Sequence, residues 1–175
     1  MGIFALSSQD VRIVDVSLAE RQGLESILEE SFEGWYLRHS KRTLKDIEVV
    51  RTALVGEEHA GLVMLKELSK KIGYVYYIAV IPKFRKMGIA AKLLDNSIEY
   101  FANQGKEEIY ACVEEDNKDS LALFDSRRFA ETGFGELASK YGKLSAMKLY
   151  TKMWVVSGEL VLVKSLTRKI GQPDS

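Results

Sequence analysis

Ile78-Ala-Val-Ile-Pro-Lys-Phe-Arg-Lys-Met-Gly-Ile-Ala-Ala-Lys-Leu-Leu94 decides the reading of this chain: an apolar strand passes through a basic turn with one glycine into an amphipathic helix. Backbone N–H groups at a helix start have no intrahelical acceptors and lie at the positive end of the helix dipole. An anion docks there when no bulky side chain intervenes. Gly88 and Ala90 supply that clearance. Lys83, Arg85, Lys86 and Lys92 surround the turn with positive charge, which suits the few phosphates of a nucleotide cofactor. Taken singly, each also fits an ordinary solvated surface cation. Neither Gly-x-Gly-x-x-Gly nor Gly-x-x-x-x-Gly-Lys-Ser/Thr occurs, so the two commonest alternative phosphate loops fail on their own terms.

The bulk composition sets the frame around this element. With 175 residues, 46% of them hydrophobic, the chain suits a single domain over 1–175 with a substantial core, followed by a polar C-terminal tail from about Thr167. Lysine and arginine total 25, as do aspartate and glutamate, so no whole-chain field favours a nucleic-acid partner. No run approaches the roughly 20 apolar residues that span a bilayer, so no membrane partner is expected. Cys112 is the lone cysteine, the chain start lacks a secretory pattern, and a cytoplasmic location is the expectation. Met1-Gly2 invites N-myristoylation, but Leu6 stands where that signal needs Ser or Thr.

Periodicity orders the elements. Val11 to Val16 alternates as a strand, and Ser17-Leu-Ala-Glu20 is a capping box before a helical stripe of Leu24, Ile27, Leu28 and Phe32. Gly34-Trp35-Tyr36 reads as a break, after which Thr43-Leu-Lys-Asp46 starts a shorter helix carrying Leu44, Ile47 and Val50. Ala53–Val55 and Leu62–Leu65 read as hairpin strands around Glu57-Glu-His-Ala-Gly61, with Tyr74–Ile81 as the next strand. Ile89, Leu93, Leu94, Ile98 and Phe101 make a helix ending near Gly105, and Ile109–Val113 a strand. Ser120–Phe129 is a further helix, and Phe134, Leu137, Tyr141, Leu144 and Met147 suggest one more. Met153–Val156 and Glu159–Val163 read as a hairpin about Ser157-Gly158.

Arg85-x-x-Gly88-x-Ala90, preceded by Ile78-Ala79-Val80 and Pro82, resembles the cofactor motif of the GNAT superfamily of N-acetyltransferases, and in particular of the ribosomal-protein alanine acetyltransferase type. The element order also resembles that family's. The resemblance implies an α/β fold with a central mixed sheet of about seven strands flanked by helices, with the helix at Phe134–Leu149 as an insertion. It implies acetyl-CoA as cofactor, its pantetheine arm along Ile78, Ala79 and Val80 and its pyrophosphate over Arg85, Lys86, Met87, Gly88, Ile89, Ala90 and Ala91. The Val80 N–H is then placed to stabilise an oxyanion. Asn117 and Phe124 match further cofactor-contacting positions, although Asn117 equally suits a helix N-cap.

The same resemblance makes the chain an enzyme that transfers an acetyl group directly to a primary amine, either of a peptide or of a small molecule. It also leaves room for a homodimer. Phe32, Glu33, Trp35 and Tyr36 fall in the segment that covers the acceptor in the family, though the aromatics also suit a hydrophobic plug. Two positions depart from the pattern. Phe124 stands where many members carry an acidic tyrosine, and Cys112 where the alanine acetyltransferases carry a glutamate base, a core role being the ordinary one for such a cysteine. Glu114, at a strand end, and Tyr77, just before Ile78, are the replacement candidates, with Glu115, Glu33, Tyr76 and Tyr141 behind them. His39 reads as lying in a polar loop and His59 in the hairpin turn, with no metal-ligand spacing. The competing reading is a CoA-binding regulatory protein without catalysis; a nucleic-acid-binding module comes third.

Overall fold

A computed structural model describes residues 11–166. The order is β1 (Val11–Asp15), α1 (Glu25–Ser31), α2 (Gly34–Asp46), β2 (Val49–Val55), β3 (Glu58–Ser69), β4 (Ile72–Val80), α3 (Ile89–Asn103), β5 (Glu108–Glu114), α4 (Lys118–Asp125), β6 (Ala130–Thr132), α5 (Phe134–Tyr141), α6 (Lys143–Met153) and β7 (Glu159–Ser165). The strands form one mixed seven-stranded sheet in the order β1-β2-β3-β4-β5-β7-β6. Of the described residues, those through Lys66 together with Tyr76–Ser97 form one compact unit, and Glu67–Val75 with Ile98 onward form another. The expected polar tail from Thr167 and the Met1-Gly2 start lie outside the described residues.

In the first unit, β1 and β2 pair antiparallel, as do β2 and β3 around a turn at Gly56-Glu57, where Gly56 adopts φ 62°. The expected turn at Glu57–Gly61 is thus shorter, and His59 belongs to β3, its Nδ1 lying 3.0 Å from Thr52 Oγ1. Ala60 through Leu65 are all buried, the continuous apolar run of a strand covered on both faces. One of the two bonds of the expected capping box forms, the Ser17 N–H donating to the Glu20 carboxylate at 2.9 Å, while the Ser17 hydroxyl donates to the same carboxylate oxygen and the helical turn starts later, at Arg21.

The expected break at Gly34-Trp35-Tyr36 is instead the start of α2, which runs through Thr43 to Asp46. Gly34 takes φ 54°, turning the chain from the extended Glu33 into the helix. His39 therefore stands on a helix and not in a loop. Ile47 and Val50 leave the helix, because Ile47 is extended and Val50 joins β2, where β-branched residues pack well. Buried Arg21 caps this end of α2, its Nη1 donating to the carbonyls of Leu44 at 3.1 Å and Ile47 at 2.7 Å.

In the second unit, β4 pairs parallel with β5, and β5 pairs antiparallel with β7 along its whole length. β7 also pairs with the short strand β6, from Ala130↔Val163 to Thr132↔Val161. The expected Met153–Val163 hairpin does not form: Met153 ends α6, and Trp154 caps it in the left-handed conformation at φ 57°. Its place in the sheet falls to β6. The single helix expected over Phe134–Met147 is two, since Gly142 at φ 86° ends α5 and starts α6. Buried Glu108 on β5 accepts from Tyr110 Oη at 3.3 Å and also from Lys140 Nζ and Tyr141 Oη, tying the end of α5 to the sheet. Lys106, whose side chain is 4% exposed, is satisfied by Glu67 and by the carbonyls of Ser69 and Lys70.

Candidate active site

The run from β4 into α3 contains the residues that the sequence reading assigns to an anion. Pro82–Phe84 forms a single helical turn, and buried Phe84 anchors it. Arg85 Nε donates back to the Val80 carbonyl at 3.0 Å, so the guanidinium braces the turn against the end of β4. Lys83 pairs with Glu58 at 2.7 Å. Lys86 and Gly88 both adopt left-handed φ, 61° and 77°, which twists the backbone into the first turn of α3. A side-chain carbon at Gly88 would meet nothing within 4 Å. The glycine is therefore required by its φ, and the space beside it is open. α3 is 15 residues long and buries Ile89, Leu93 and Leu94, so its N-terminal N–H groups stand on a firmly seated helix.

The β4–β5 register runs from Ile72↔Glu108 to Val75↔Ala111, and Ile78–Val80 lies beyond it. Ala79 is buried at 3% exposure, with Ile78 and Val80 half-buried.

Four of the sequence-predicted residues come together in the first unit. Phe32 packs on Tyr77 with ring centroids 5.4 Å apart, and Trp35 meets Tyr36 edge-on at 5.1 Å. At their centre stands a residue that the periodicity did not single out, His39. Its ring stacks on Trp35 at 4.8 Å and on Tyr76 at 5.9 Å, and its Nδ1 lies 2.8 Å from Tyr77 Oη. Partial burial, and secondarily the nearby Arg42 charge, hold the His39 imidazole below its ordinary pKa. The signal was present as Trp35 and His39 four residues apart, one turn of helix. It was hidden because α2 was expected to begin later. Glu33, the N-cap residue of α2, is exposed.

The remaining candidates lie in the second unit. Asn117 is the N-cap of α4, its Oδ1 accepting from the Ser120 N–H at 3.1 Å. Phe124 is 5% exposed and meets Phe129 edge-on. Cys112 is largely buried, and burial pushes its thiol pKa up to about 12. Glu114 is exposed and stands opposite Glu159 in the β5–β7 register, and Glu115 is exposed beside it. Tyr141 is engaged with Glu108. No group of three or more His, Cys, Asp or Glu among the described residues is arranged to hold a metal ion. No helix among them is long and apolar enough to cross a membrane.

The family model of the acetyltransferase (GNAT) family matches residues 21–129. The chain belongs to the GNAT acetyltransferase family. The matched region runs from Arg21, the residue that caps α2, through the β4–α3 turn to Phe129, the partner of Phe124. Over 64 residues the chain is 36% identical to the probable N-acetyltransferase HLS1 of Arabidopsis thaliana, a match covering 37% of this chain and 16% of that protein. Over 57 residues it is 32% identical to N-alpha-acetyltransferase 30 of Schizosaccharomyces pombe, covering 33% of this chain and 38% of that one. The matches therefore span well under half of these relatives. A GNAT family acetyltransferase from Elizabethkingia anophelis, crystallised with acetyl-CoA bound, shares the fold with a TM-score of 0.65 at 16% identity over 91% of this chain and all of that one. The β4–α3 turn lies within the region that the family model matches.

Proposed function

We propose that the protein is an acetyl-CoA-dependent N-acetyltransferase that acts on a primary amine. The observation that carries this reading is the β4–α3 element. Its backbone at Ile78–Val80 extends beyond the pairing with β5, Arg85 braces the turn, and Gly88 at φ 77° opens a 15-residue helix. This arrangement fits the cofactor: the backbone of Lys86 to Ala91 would hold the pyrophosphate, and the main chain of Ile78, Ala79 and Val80 would hold the amide-bearing arm. Acetyl-CoA supplies the acetyl group as an activated thioester. The role assigned to the Val80 N–H is to stabilise negative charge on the carbonyl oxygen during transfer, and this needs only a fixed main chain.

On the acceptor side, Phe32, Glu33, Trp35 and Tyr36 are assigned to the amine substrate and Tyr77 to the chemistry. An acceptor lysine with pKa near 10.4 is almost wholly protonated at neutral pH, whereas an α-amino group near 8 has a substantial neutral fraction. Either one must lose a proton on becoming an amide. Glu114 and Tyr77 are the candidates for receiving it. Asn117 and Phe124 are assigned to the cofactor by their match to the family pattern, Asn117 with its side-chain oxygen already serving as a cap. The single cysteine with its suppressed thiolate suits a reducing, cytoplasmic setting.

Calorimetric titration with acetyl-CoA, followed by turnover with a panel of peptide N-termini, lysine peptides and small amines, tests the proposal. Saturable binding with acetylated product is expected; failure to bind acetyl-CoA overturns it. A second reading, a CoA-binding protein without catalysis, draws support from Phe124 packed in the core where many relatives carry an acid. Binding without turnover on any amine would favour it.

A further inference from the structure

His39 stands at the centre of the aromatic cluster and is a titratable side chain to which the sequence reading assigned no role. It is held on two sides by Trp35 and Tyr76 and joined through Nδ1 to the Tyr77 hydroxyl at 2.8 Å. Thr43 Oγ1 lies 3.4 Å from the same nitrogen, so hydroxyl groups converge on Nδ1 from α2 itself and from β4. Tyr77 in turn packs on Phe32 and stands one residue before Ile78, where the strand assigned to the cofactor begins. One hydrogen bond thus links the helix of the acceptor-covering segment to the strand of the cofactor.

We propose that Tyr77 and His39 form a proton relay: Tyr77 Oη takes the proton released by the acceptor nitrogen while passing its own proton to His39 Nδ1. The inference rests on the N-acetyltransferase reading above. The balance is simple. The nitrogen lone pair forms the bond to the acetyl carbon, the carbon–sulfur bond breaks, and its electron pair leaves with sulfur. The proton from nitrogen moves to Tyr77 oxygen, and the tyrosine's proton moves to His39, which becomes imidazolium. His39 then loses its proton to solvent, and the thiolate takes one up from solvent, so that amide and free thiol are the products.

The relay requires His39 to be neutral, with its proton on Nε2 and its Nδ1 lone pair facing Tyr77. Partial burial and the positive charge of Arg42 both favour the neutral ring. Tyr76 and Tyr77 of β4 also face it, and Lys66 Nζ of β3 lies 5.8 Å from the Tyr76 ring centre. Tyr77 is the residue that would touch the substrate; His39 acts through it.

The chain has only two histidines, so His39 is readily resolved by nitrogen–proton correlation spectra once His59 is substituted as a control. The expected result is the Nε2–H tautomer at neutral pH, with an imidazole titration that changes in Tyr77→Phe. A ring protonated on Nδ1 at neutral pH overturns the relay whether or not an acceptor amine has been found. With an acceptor in hand, His39→Gln keeps a polar partner for Tyr77 but cannot titrate. It should lower kcat by about a hundredfold, the low end for a lost acid–base group, and remove the acidic limb of the pH–rate profile. Tyr77→Phe should fall similarly, and the double variant no further, as for two members of one path. Additive losses, or an unchanged acidic limb in His39→Gln, overturn the relay. Acetyl-CoA affinity measured in the same variants should stay at the parent value. Absence of binding in the parent would instead overturn the functional reading, leaving the tautomer to decide the hydrogen bond alone.

Discussion

Gly61 on β3 lies directly against the carbonyl of Ala79 on β4: a side-chain carbon at Gly61 would stand 2.6 Å from that oxygen and 3.1 Å from a methyl of Val80. The oxygen is main chain in a strand and cannot swing away. The Gly61 carbonyl is itself fixed by buried Thr52, whose Oγ1 donates to it at 2.9 Å. The close approach therefore sets the position of the Ile78–Val80 backbone.

Gly61→Ala should consequently shift β4 as well as lower stability. Overpacking of this kind costs about 1–3 kcal/mol. Chemical denaturation should show that loss, and calorimetry should show weaker acetyl-CoA binding in the folded variant. A stable Gly61→Ala protein with parent affinity would show that the strand position does not govern the cofactor.

Gly88 separates strain from charge. Asn and Asp both tolerate left-handed φ better than other residues and differ little in size, so each should cost about 1–2 kcal/mol or less in folding stability. Because no described residue occupies the space beside Gly88, the fold should survive both changes. Acetyl-CoA affinity should fall in Gly88→Asn and fall much further in Gly88→Asp, whose carboxylate repels phosphate. Equal affinities for the two variants would remove the phosphate from this turn.

Asn117→Ala removes the bond from the Ser120 N–H and should cost about 0.5–2 kcal/mol of stability. Should Asn117 contact the cofactor as well, binding weakens by more than the cap loss accounts for. Unchanged acetyl-CoA affinity alongside reduced stability would leave Asn117 a cap only.

Cys112 should be inert. With its thiol pKa pushed up to about 12 by burial, almost no thiolate exists at neutral pH. Alkylation should be negligible in the native protein and rapid in denaturant, as followed by intact mass. The same shift makes stability fall as pH rises above the ordinary thiol value near 8.5, since only the unfolded chain then releases the proton.

His39 produces the opposite slope. Its folded pKa is depressed, so below about 6.5 the unfolded chain takes up a proton that the folded one resists, and stability falls as pH drops through that region. His39→Gln should flatten the stability curve there while leaving the later acid loss. Glu20, Glu25 and Glu136 contribute to that later loss, their carboxyls being held low mainly by hydrogen bonds from Ser17, Lys41 and Thr132.

Sequence alone was sufficient for the β4–α3 element, because strand, turn and helix there are local. A β-branched run, a glycine and a 3.6-residue stripe lie within one short segment, and the structure realises each where the pattern places it. The start of α2 was misread because Gly34 and two aromatics look like punctuation, while the helix depends on Arg21, distant in sequence, to take up its C-terminal carbonyls. The expected strand at Met153–Val156 failed for a similar reason. Val155 and Val156 have strand propensity, but β7 has β5 on one side and β6 on the other.

By itself, the sequence determined the strand–turn–helix element from Ile78 to Leu94 and the class of fold, because these rest on residue identity and local periodicity. Tertiary structure decided what surrounds each candidate. It placed Phe124 in the core beside Phe129, engaged Tyr141 with Glu108, and brought His39, 38 residues away in sequence, onto the hydroxyl of Tyr77. Such contacts join elements whose approach is set by burial of their apolar faces, and no local pattern along the chain records which polar atoms meet when those faces close.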